Sequence, residues 1–191
     1  MYGSVGFASL PTGKLLRSRT SVGRPELSCN GEETMAGKTE ENTAYRELIE
    51  RARQAAERAY CPYSNYRVGA AVLTFDGMIH EGCNIENAGY SQTIHAEETA
   101  VSSAIASGLL ERARQAGLSQ FEAIRALAVH APLGSDPWPC CNCRQFLCEF
   151  GLEFDIIGAG EDGAILCQKL EALIPYPFPV ETVLAAVRRG R

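Results

Sequence analysis

The sequence predicts a three-layer α/β fold, in which helices cover both faces of a mixed β-sheet. Segments with helical spacing of apolar residues alternate along the chain with short apolar segments that read as buried strands. This alternation is typical of α/β domains. The chain has 191 residues, of which 46% are hydrophobic and 21% charged, so it is long enough for one domain with a substantial core.

Residues 1–41 are predicted to be a disordered N-terminal extension. They are rich in Gly, Ser, Thr and Arg and show no sustained hydrophobic period, so they bury too little apolar surface to offset the entropy of ordering. The first 25 residues contain four basic residues and no acidic one, a composition that resembles an organelle transit peptide. An alternative stays open, namely an upstream extension of the reading frame with translation starting at Met35.

The predicted domain covers residues 42–191 and begins with a helix over 43–60, for which Asn42 or Thr43 is the predicted N-cap. The pair Asp76–Gly77 is a strong hairpin signal. The remaining elements are a strand at 66–75, its return strand at 78–85, a helix at 95–107, a short extra helix within 108–120, a strand at 123–131, a helix at 140–151 that Gly151 ends, strands at 154–160 and 164–168, and a terminal helix at 179–191.

Charge and hydropathy narrow the classes of partner. The net charge is −5 and the pI is about 5.3, which disfavours an extended nucleic-acid surface because such surfaces are normally basic. No apolar run approaches the roughly 20 residues that span a bilayer. We therefore expect neither nucleic acid nor a membrane as partner. Since the N-terminus lacks the apolar core of a signal peptide, we expect a cytoplasmic protein, with targeting to an organelle as the alternative.

The chain has eight cysteines, and four of them lie within residues 140–148. An even count is compatible with disulfides in a secreted protein. Four cysteines in close sequence, however, fit a thiolate metal site in a reducing compartment better than a spread disulfide framework.

Cys140 and Cys143 form a C-x-x-C motif directly after Pro139, at the start of a predicted helix. This spacing lets both sulfurs face one point, and the exposed N–H groups of a helix start favour thiolates. Two thiolates and one imidazole make a tetrahedral zinc site with an open fourth position, which is the catalytic pattern. We predict His95 as the third ligand. Glu97 is too close to His95 in sequence to be a comfortable second ligand, and it is well placed to exchange protons with water on the metal.

Other interpretations of these cysteines stay open. The first alternative is a redox pair, and the second is a set of unligated core residues. The third is a closed structural zinc site with Cys141, Cys83 or His130 as the fourth ligand. The combined pattern H-A-E…P-C-x-x-C is far more specific than either half. It is the signature of zinc-dependent nucleobase deaminases.

Four segments resemble the cytidine deaminase family in order and context: "PYSNYRVGAAVLTFDG", "GCNIENAGY", "HAEETA" and "PCCNCRQFLCEFG". The resemblance extends over about residues 45–180. It implies a five-stranded mixed sheet between helices, one Zn²⁺ ion per chain and a homo-oligomer. Because a one-domain chain of this length is similar to the tetrameric branch, a tetramer is favoured over a dimer.

The resemblance also implies roles for six further residues around a substrate. The matching positions are Asn84 and Glu86 for the ribose hydroxyls, Tyr66 for the pocket wall, Ala96 for a backbone contact to the base, and Tyr90 and Phe178 for the site of a neighbouring subunit. Tyr66 as a strand-core residue, and Tyr90 and Phe178 as ordinary interface residues, are the alternatives.

The sequence departs from the family pattern beside the motifs. Tetrameric members usually read C-A-E-R where this chain reads H-A-E-E, so His95 replaces a thiolate and Glu98 replaces an arginine. The two changes are electrostatically consistent, because one imidazole and two thiolates already neutralise Zn²⁺ and leave no charge for an arginine to offset. Histidine at this place resembles the larger dimeric branch. Cys141 stands where glycine is usual, and Trp138 where small polar residues are usual.

The sequence thus predicts a hydrolase of pyrimidine nucleoside salvage, which deaminates cytidine or deoxycytidine to the uracil nucleoside and ammonia. Glu97 is the predicted proton carrier. One alternative is a deaminase of a modified cytosine nucleoside, such as a nucleoside antibiotic. Its motives are Trp138 and an insertion that makes the spacing from His95 to Cys140 longer than usual. Another is a non-catalytic interaction module stabilised by zinc. Glu97 argues against the module, because a structural site needs no proton carrier.

Overall fold

The computed structural model describes residues 35–131, 138–160 and 163–189. The helices are α1 (Met35–Glu57), α2 (Ala96–Ala106), α3 (Leu109–Gln115), α4 (Cys141–Leu147), α5 (Leu170–Leu173) and α6 (Val180–Arg189). The strands are β1 (Gly69–Thr74), β2 (Ile79–Cys83), β3 (Ile124–His130), β4 (Asp155–Ala159) and β5 (Ile165–Lys169). Short 3₁₀ turns lie at Gln120–Glu122 and Cys148–Phe150.

The five strands form one mixed sheet in the order β2-β1-β3-β4-β5. Strands β3 and β4 are parallel, and the other neighbours are antiparallel. A parallel pair needs a long crossover connection, and the segment that contains α4 provides it. The predicted five-stranded mixed sheet is confirmed.

Helices cover both faces of this sheet, because successive side chains of a strand point to opposite faces. On β1, Ala70 and Val72 pack in the hydrophobic cluster that contains α2, α3 and α4. Ala71 and Leu73 pack in a second cluster with Leu48 of α1. Two separate apolar clusters with the sheet between them make three layers, as the sequence predicts.

Two glycines let the helices lie very close to the sheet. A Cβ atom added at Gly82 of β2 would lie 2.2 Å from the backbone nitrogen of Ala100 in α2. A Cβ atom at Gly69 of β1 would lie 1.9 Å from the carbonyl oxygen of Ala52 in α1. Helix α2 therefore lies directly against β2, and this contact fixes where the N-terminus of α2 and the adjoining His95 lie.

Helix α1 begins at Met35, so the predicted N-cap at Asn42 or Thr43 is wrong. The segment "MAGKTEE" consists mainly of good helix formers, and extending an existing helix is much easier than nucleating one. Hydrophobic periodicity detects only the part of a helix in which apolar residues recur at helical spacing. The rest of the predicted extension, including the segment that resembles a transit peptide, lies outside the described residues.

The other predicted helices and strands are present, most of them with shorter bounds than predicted. Helix α5 was not predicted, because a helix of four residues shows no hydrophobic period. Gly151, with φ of +119°, follows the 3₁₀ turn that continues α4, as expected for a glycine that ends a helix. None of the helices within the described residues has the length and hydropathy needed to cross a membrane.

Candidate metal centre

Two helix N-termini bring the predicted metal ligands together. His95 has an extended backbone and directly precedes α2, and Cys140 does the same before α4, whose first turn contains Cys143. The Nδ1 atom of His95 lies 3.4 Å from the Sγ atom of Cys140 and 3.2 Å from the Sγ atom of Cys143. Residues 45 positions apart in the chain thus meet at one point.

The geometry of this set fits zinc. The three ligand atoms all lie within 4.8 Å of one another. Tetrahedral bonds to sulfur and nitrogen at their usual lengths would separate the two atoms by about 3.5 Å, close to the observed separations. Within the residues that the structure describes, no fourth His, Cys, Asp or Glu joins the set. Among these residues the set is therefore a three-ligand one, which is the pattern of catalytic zinc sites that keep a position for water or substrate.

The structure gives no support to the alternative of a closed structural site. Cys141 is exposed and does not belong to the cluster, and neither do Cys83 and His130. The described cysteines are all free thiols, so the C-x-x-C pair is not a disulfide.

Cys143 is completely buried and needs a positive partner to ionise. Burial, followed by the charge of the neighbouring Glu97 carboxylate, raises the pKa of the Cys143 thiol far above its ordinary value. A thiolate ligand in this position is stable only beside a cation, because a buried charge must be compensated. The donor set therefore suits a divalent metal that binds thiolates.

Glu97 lies in the first turn of α2, with only 4% of its surface exposed. Burial raises the pKa of its carboxyl, while hydrogen bonds with its own backbone N–H and with the Cys143 thiol act in the opposite direction. The predicted proton carrier thus lies beside a metal ligand and away from bulk water, where carboxylates with general acid–base roles are commonly found.

A cavity of about 500 Å³ opens in front of these groups. That volume is in the usual range for small-molecule sites. The cavity is lined by Ser64, Tyr66, Val68, Asn84, Glu86, Thr93, His95, Ala96, Glu97, Val129, Ala131, Trp138 and Cys140. The structure therefore brings Tyr66, Asn84, Glu86 and Ala96 to the same cavity as the metal ligands and Glu97.

The side chain of Asn84 is buried and already holds the chain segment beside the cavity. Its amide nitrogen donates to the carbonyl oxygen of Tyr66 at 2.9 Å, and its oxygen accepts from the N–H of Val68 at 2.9 Å. One amide hydrogen and one lone pair are left for a ligand. Asn84 thus has a structural role in addition to any contact with substrate.

Glu86 is more exposed and accepts hydrogen bonds from the neighbouring loop. The backbone N–H groups of Tyr63 and Ser64 donate to its Oε2 atom at 2.8 and 3.2 Å. A hydrogen bond with the Ser64 side chain, followed by these backbone bonds, lowers the pKa of the Glu86 carboxyl. Glu86 is therefore an ionised acceptor at the rim of the cavity, which is suitable for hydroxyl donors.

Tyr90 and Phe178 do not line the cavity of their own chain. Tyr90 is 75% exposed, with its ring centroid 6.1 Å from that of Tyr63. Phe178 is 65% exposed, and its backbone N–H donates to the side-chain oxygen of Gln145 at 2.9 Å. Their predicted role in a neighbouring subunit stays a prediction.

Sequence reasoning missed five residues that line the cavity. They are Ser64, Val68, Thr93, Val129 and Ala131. Val129 and Ala131 lie at the carboxyl end of β3, an end that ligands often contact in α/β sheets. These two residues could have been predicted from the sequence, because β3 directly precedes the segment that contains Cys140. Trp138, which the sequence marks as a departure, does belong to the cavity wall.

Comparisons with known proteins agree with this site. The family model for the cytidine and deoxycytidylate deaminase zinc-binding region matches residues 42–158. The cytidine deaminase of Sporosarcina psychrophila is 43% identical over 103 residues, which are 54% of this chain and 67% of that protein. The cytidine deaminase of Mycobacterium tuberculosis is 42% identical over 130 residues, which are 68% of this chain and 86% of that protein.

The fold is similar to that of a solved structure as well. The crystal structure of cytidine deaminase from Burkholderia pseudomallei superposes with a TM-score of 0.60 and 37% sequence identity. The match covers 70% of this chain and 98% of that chain. The described core of the present chain therefore corresponds to nearly the whole of that protein.

Proposed function

The chain belongs to the family of cytidine and deoxycytidylate deaminases, and from this premise we propose that it is a zinc-dependent cytidine deaminase. The reaction converts a cytosine nucleoside and water into the uracil nucleoside and ammonia. One observation carries the proposal: His95, Cys140 and Cys143 converge beside the buried Glu97 carboxylate, facing a cavity of about 500 Å³.

The three ligands would hold zinc through one imidazole nitrogen and two thiolates. Their summed charge balances that of Zn²⁺, so the site needs no further cation. When bound there, the ion would supply the Lewis acidity that lowers the pKa of a water molecule toward neutrality. The open fourth position is supported by the set of three ligands among the described residues.

Glu97 moves the protons of the reaction. Its carboxylate takes a proton from the attacking water and delivers it to the ring nitrogen of the base. It then transfers the second proton of that water to the departing amine. The water oxygen becomes bonded to C4 of the pyrimidine, the bond between C4 and the amino nitrogen breaks, and ammonia leaves. Burial of Glu97 supports this role, because bulk water cannot compete for these protons.

The rest of the cavity positions the nucleoside. Asn84 and Glu86 hold the ribose hydroxyls, Tyr66 forms part of the wall, and the backbone of Ala96 contacts the base. Support comes from the cavity that these four residues share, and from the further hydrogen bonds that Asn84 and Glu86 can still form. A carboxylate has about four lone-pair positions, so Glu86 can accept a hydroxyl while it keeps a backbone hydrogen bond.

The active form is a homo-oligomer, with a tetramer favoured over a dimer. Several large apolar side chains of the C-terminal segment are exposed, namely Tyr176, Phe178, Val183 and Val187. Exposed apolar groups of this kind commonly mark protein interfaces. Tyr90 and Phe178 would then contribute to the site of a neighbouring subunit. Sedimentation equilibrium tests this point: a tetramer is expected, and a monomer at micromolar concentration would contradict it.

A cytoplasmic location is part of the proposal. Its support is the free state of the described cysteines, since thiols persist in reducing compartments. Imaging of the full chain with a C-terminal fluorescent tag tests this location, and an organellar signal would contradict it.

A substrate panel tests the function. Ammonia release is measured on the zinc-loaded chain with cytidine, deoxycytidine, CMP and adenosine. Turnover of the two cytosine nucleosides is expected, without turnover of adenosine. Because Trp138 lines the cavity, a cytosine nucleoside antibiotic is added to the panel as a further substrate. If the antibiotic is turned over and cytidine is not, the substrate assignment changes while the reaction class stays.

A further inference from the structure

Glu98 connects the two chain segments that carry the metal ligands. Its Oε2 atom accepts a hydrogen bond from the backbone N–H of His95 at 3.1 Å. Its Oε1 atom accepts from the side-chain amide of Asn142 at 2.8 Å. Asn142 lies between Cys140 and Cys143 in sequence. A single carboxylate thus spans the distance between the histidine ligand and the cysteine pair.

Other hydrogen bonds hold each segment separately. The guanidinium of Arg144 donates to the carbonyl oxygens of Pro139 and Leu173, both at 2.7 Å, and so ties the start of α4 to α5. The hydroxyl of Thr99 donates to the carbonyl oxygen of His95 at 3.1 Å, within α2. Between α2 and α4, both fully described, the bond from Asn142 to Glu98 is the one side-chain hydrogen bond that does not involve a ligand sulfur.

The charge of Glu98 suits this place. The imidazole and two thiolates already balance a divalent cation, so an acidic residue here is not needed for neutrality. Its carboxylate instead accepts a free N–H at the start of α2, where negative charge is favourable. Glu98 is therefore held on one side by the helix that follows His95, and it is free to hold α4 on the other side.

We propose that Glu98 is a positioning residue of the metal centre, which acts through Asn142 to set the separation between His95 and the cysteine pair. The inference rests on the metal site of the proposed function, and it does not depend on which substrate the protein uses. Groups that orient metal ligands typically contribute about 10-fold to 100-fold in metal affinity. Glu98 is partly exposed and Asn142 is exposed, so we expect an effect of about 10-fold, at the lower end of this range.

Exchange of the two polar groups tests the proposal. Glu98→Ala removes both hydrogen bonds, and Asn142→Asp places two carboxylates opposite each other. The double variant Glu98→Gln with Asn142→Asp restores the contact with donor and acceptor reversed, since the new amide still offers an oxygen to the His95 N–H. Glu98→Gln alone also keeps the contact, because the amide of Asn142 can turn. Glu111→Ala, which removes an exposed glutamate from α3, is the matched control.

The readout is the rate at which each zinc-loaded protein loses its metal to a chromogenic chelator in excess, with folding followed by circular dichroism. We expect a roughly 10-fold faster loss for Glu98→Ala and for Asn142→Asp. The double variant, Glu98→Gln and Glu111→Ala should match the wild type. An unchanged rate in Glu98→Ala, or a double variant as fast as Asn142→Asp, would overturn the proposal. If Glu98→Ala fails to fold, the comparison of Asn142→Asp with the double variant still decides.

This result is independent of the substrate assignment. A chain that holds zinc through Glu98 but does not deaminate cytidine would contradict the proposed function alone. A chain that deaminates cytidine and loses zinc equally fast in all variants would contradict the role of Glu98 alone.

Discussion

Glu97 is the residue on which the proposed chemistry depends most directly. Glu97→Gln keeps the size of the side chain and removes its ability to accept a proton. We expect unchanged zinc content and an unchanged circular dichroism spectrum, together with a loss of turnover of about 10²–10⁴-fold or more, since the carboxylate acts in more than one proton transfer. Ammonia release with cytidine measures this loss. Wild-type turnover in the variant would refute the assigned mechanism.

The two cysteine ligands can be separated from their neighbour Cys141 by substitution. Cys140→Ala or Cys143→Ala leaves two protein ligands, too few for a stable tetrahedral site, so we expect loss of zinc. Cys141→Gly is the matched control and should retain about one zinc per chain, because Cys141 is exposed and outside the cluster. Metal analysis after dialysis measures the content. Retention of zinc by Cys140→Ala together with its loss from Cys141→Gly would show that the ligands are misassigned.

Glu86 tests recognition of the sugar. We expect Glu86→Ala to lower kcat/KM for cytidine by roughly 10-fold or more, because hydrogen bonds to a charged group contribute about 1.5–3 kcal/mol. Zinc content should stay unchanged. The preference for cytidine over free cytosine should shrink, and a nucleoside with an altered sugar should be affected less than cytidine. Steady-state kinetics on the three substrates measure this. If Glu86→Ala leaves cytidine turnover intact, the residue has only a structural role.

The convergence of His95, Cys140 and Cys143 was predictable at the level of single residues, because its signal is local. The spacing of Cys140 and Cys143 and the distance from His95 to Glu97 are set by a single helical turn. Val129 contributes to the cavity only because β3 ends there, which depends on the order of the strands. The two hydrogen bonds of the Asn84 amide depend on the position of the backbone at residues 66–68, which no sequence pattern predicts.

Gly82 is the point at which β2 and α2 depend on each other. A methyl group in Gly82→Ala would overlap the backbone of Ala100, which cannot move without shifting the helix that follows His95. Forced overpacking destabilises by about 1–3 kcal/mol or more. Gly117→Ala is the control. Its φ of +80° disfavours a side chain, but nothing lies within 4 Å of the new Cβ atom, so this variant has a backbone cost without a steric clash.

Urea unfolding of the zinc-loaded proteins measures both substitutions. We expect Gly82→Ala to be the less stable of the two variants and to lose zinc faster. Equal stability of Gly82→Ala and the wild type would contradict the close contact between β2 and α2.

Most elements were predictable because their buried faces repeat with the helical or strand period. Ala70 and Val72 alternate with Ala71 and Leu73, as expected of a strand that is covered on both sides. The start of α1 was mispredicted because residues 35–41 are helical without such a pattern. Helix propensity can continue a helix beyond its periodic part, so hydrophobic spacing does not predict where such a helix begins.

At the scale of the whole molecule, the five-stranded sheet of the described residues brings two distant helix starts together. Strands β1 and β2 position α2, and the parallel pair of β3 and β4 requires the crossover that contains α4. The alternation of helices and strands predicted the layers, but the order of the strands follows from long-range pairing. The family resemblance, and not the periodicity, predicted the number of strands.

The central claim is that the cluster of His95, Cys140 and Cys143 holds a zinc ion on which cytidine deamination depends. The most direct test is to remove the metal from the wild-type chain with a chelator, measure uridine and ammonia formation from cytidine, and then titrate zinc back. We predict no turnover without metal, and full recovery at about one zinc per chain, since one set of ligands binds one ion. Turnover that persists in the metal-free protein, or a zinc-loaded protein that leaves cytidine unchanged, would contradict the account.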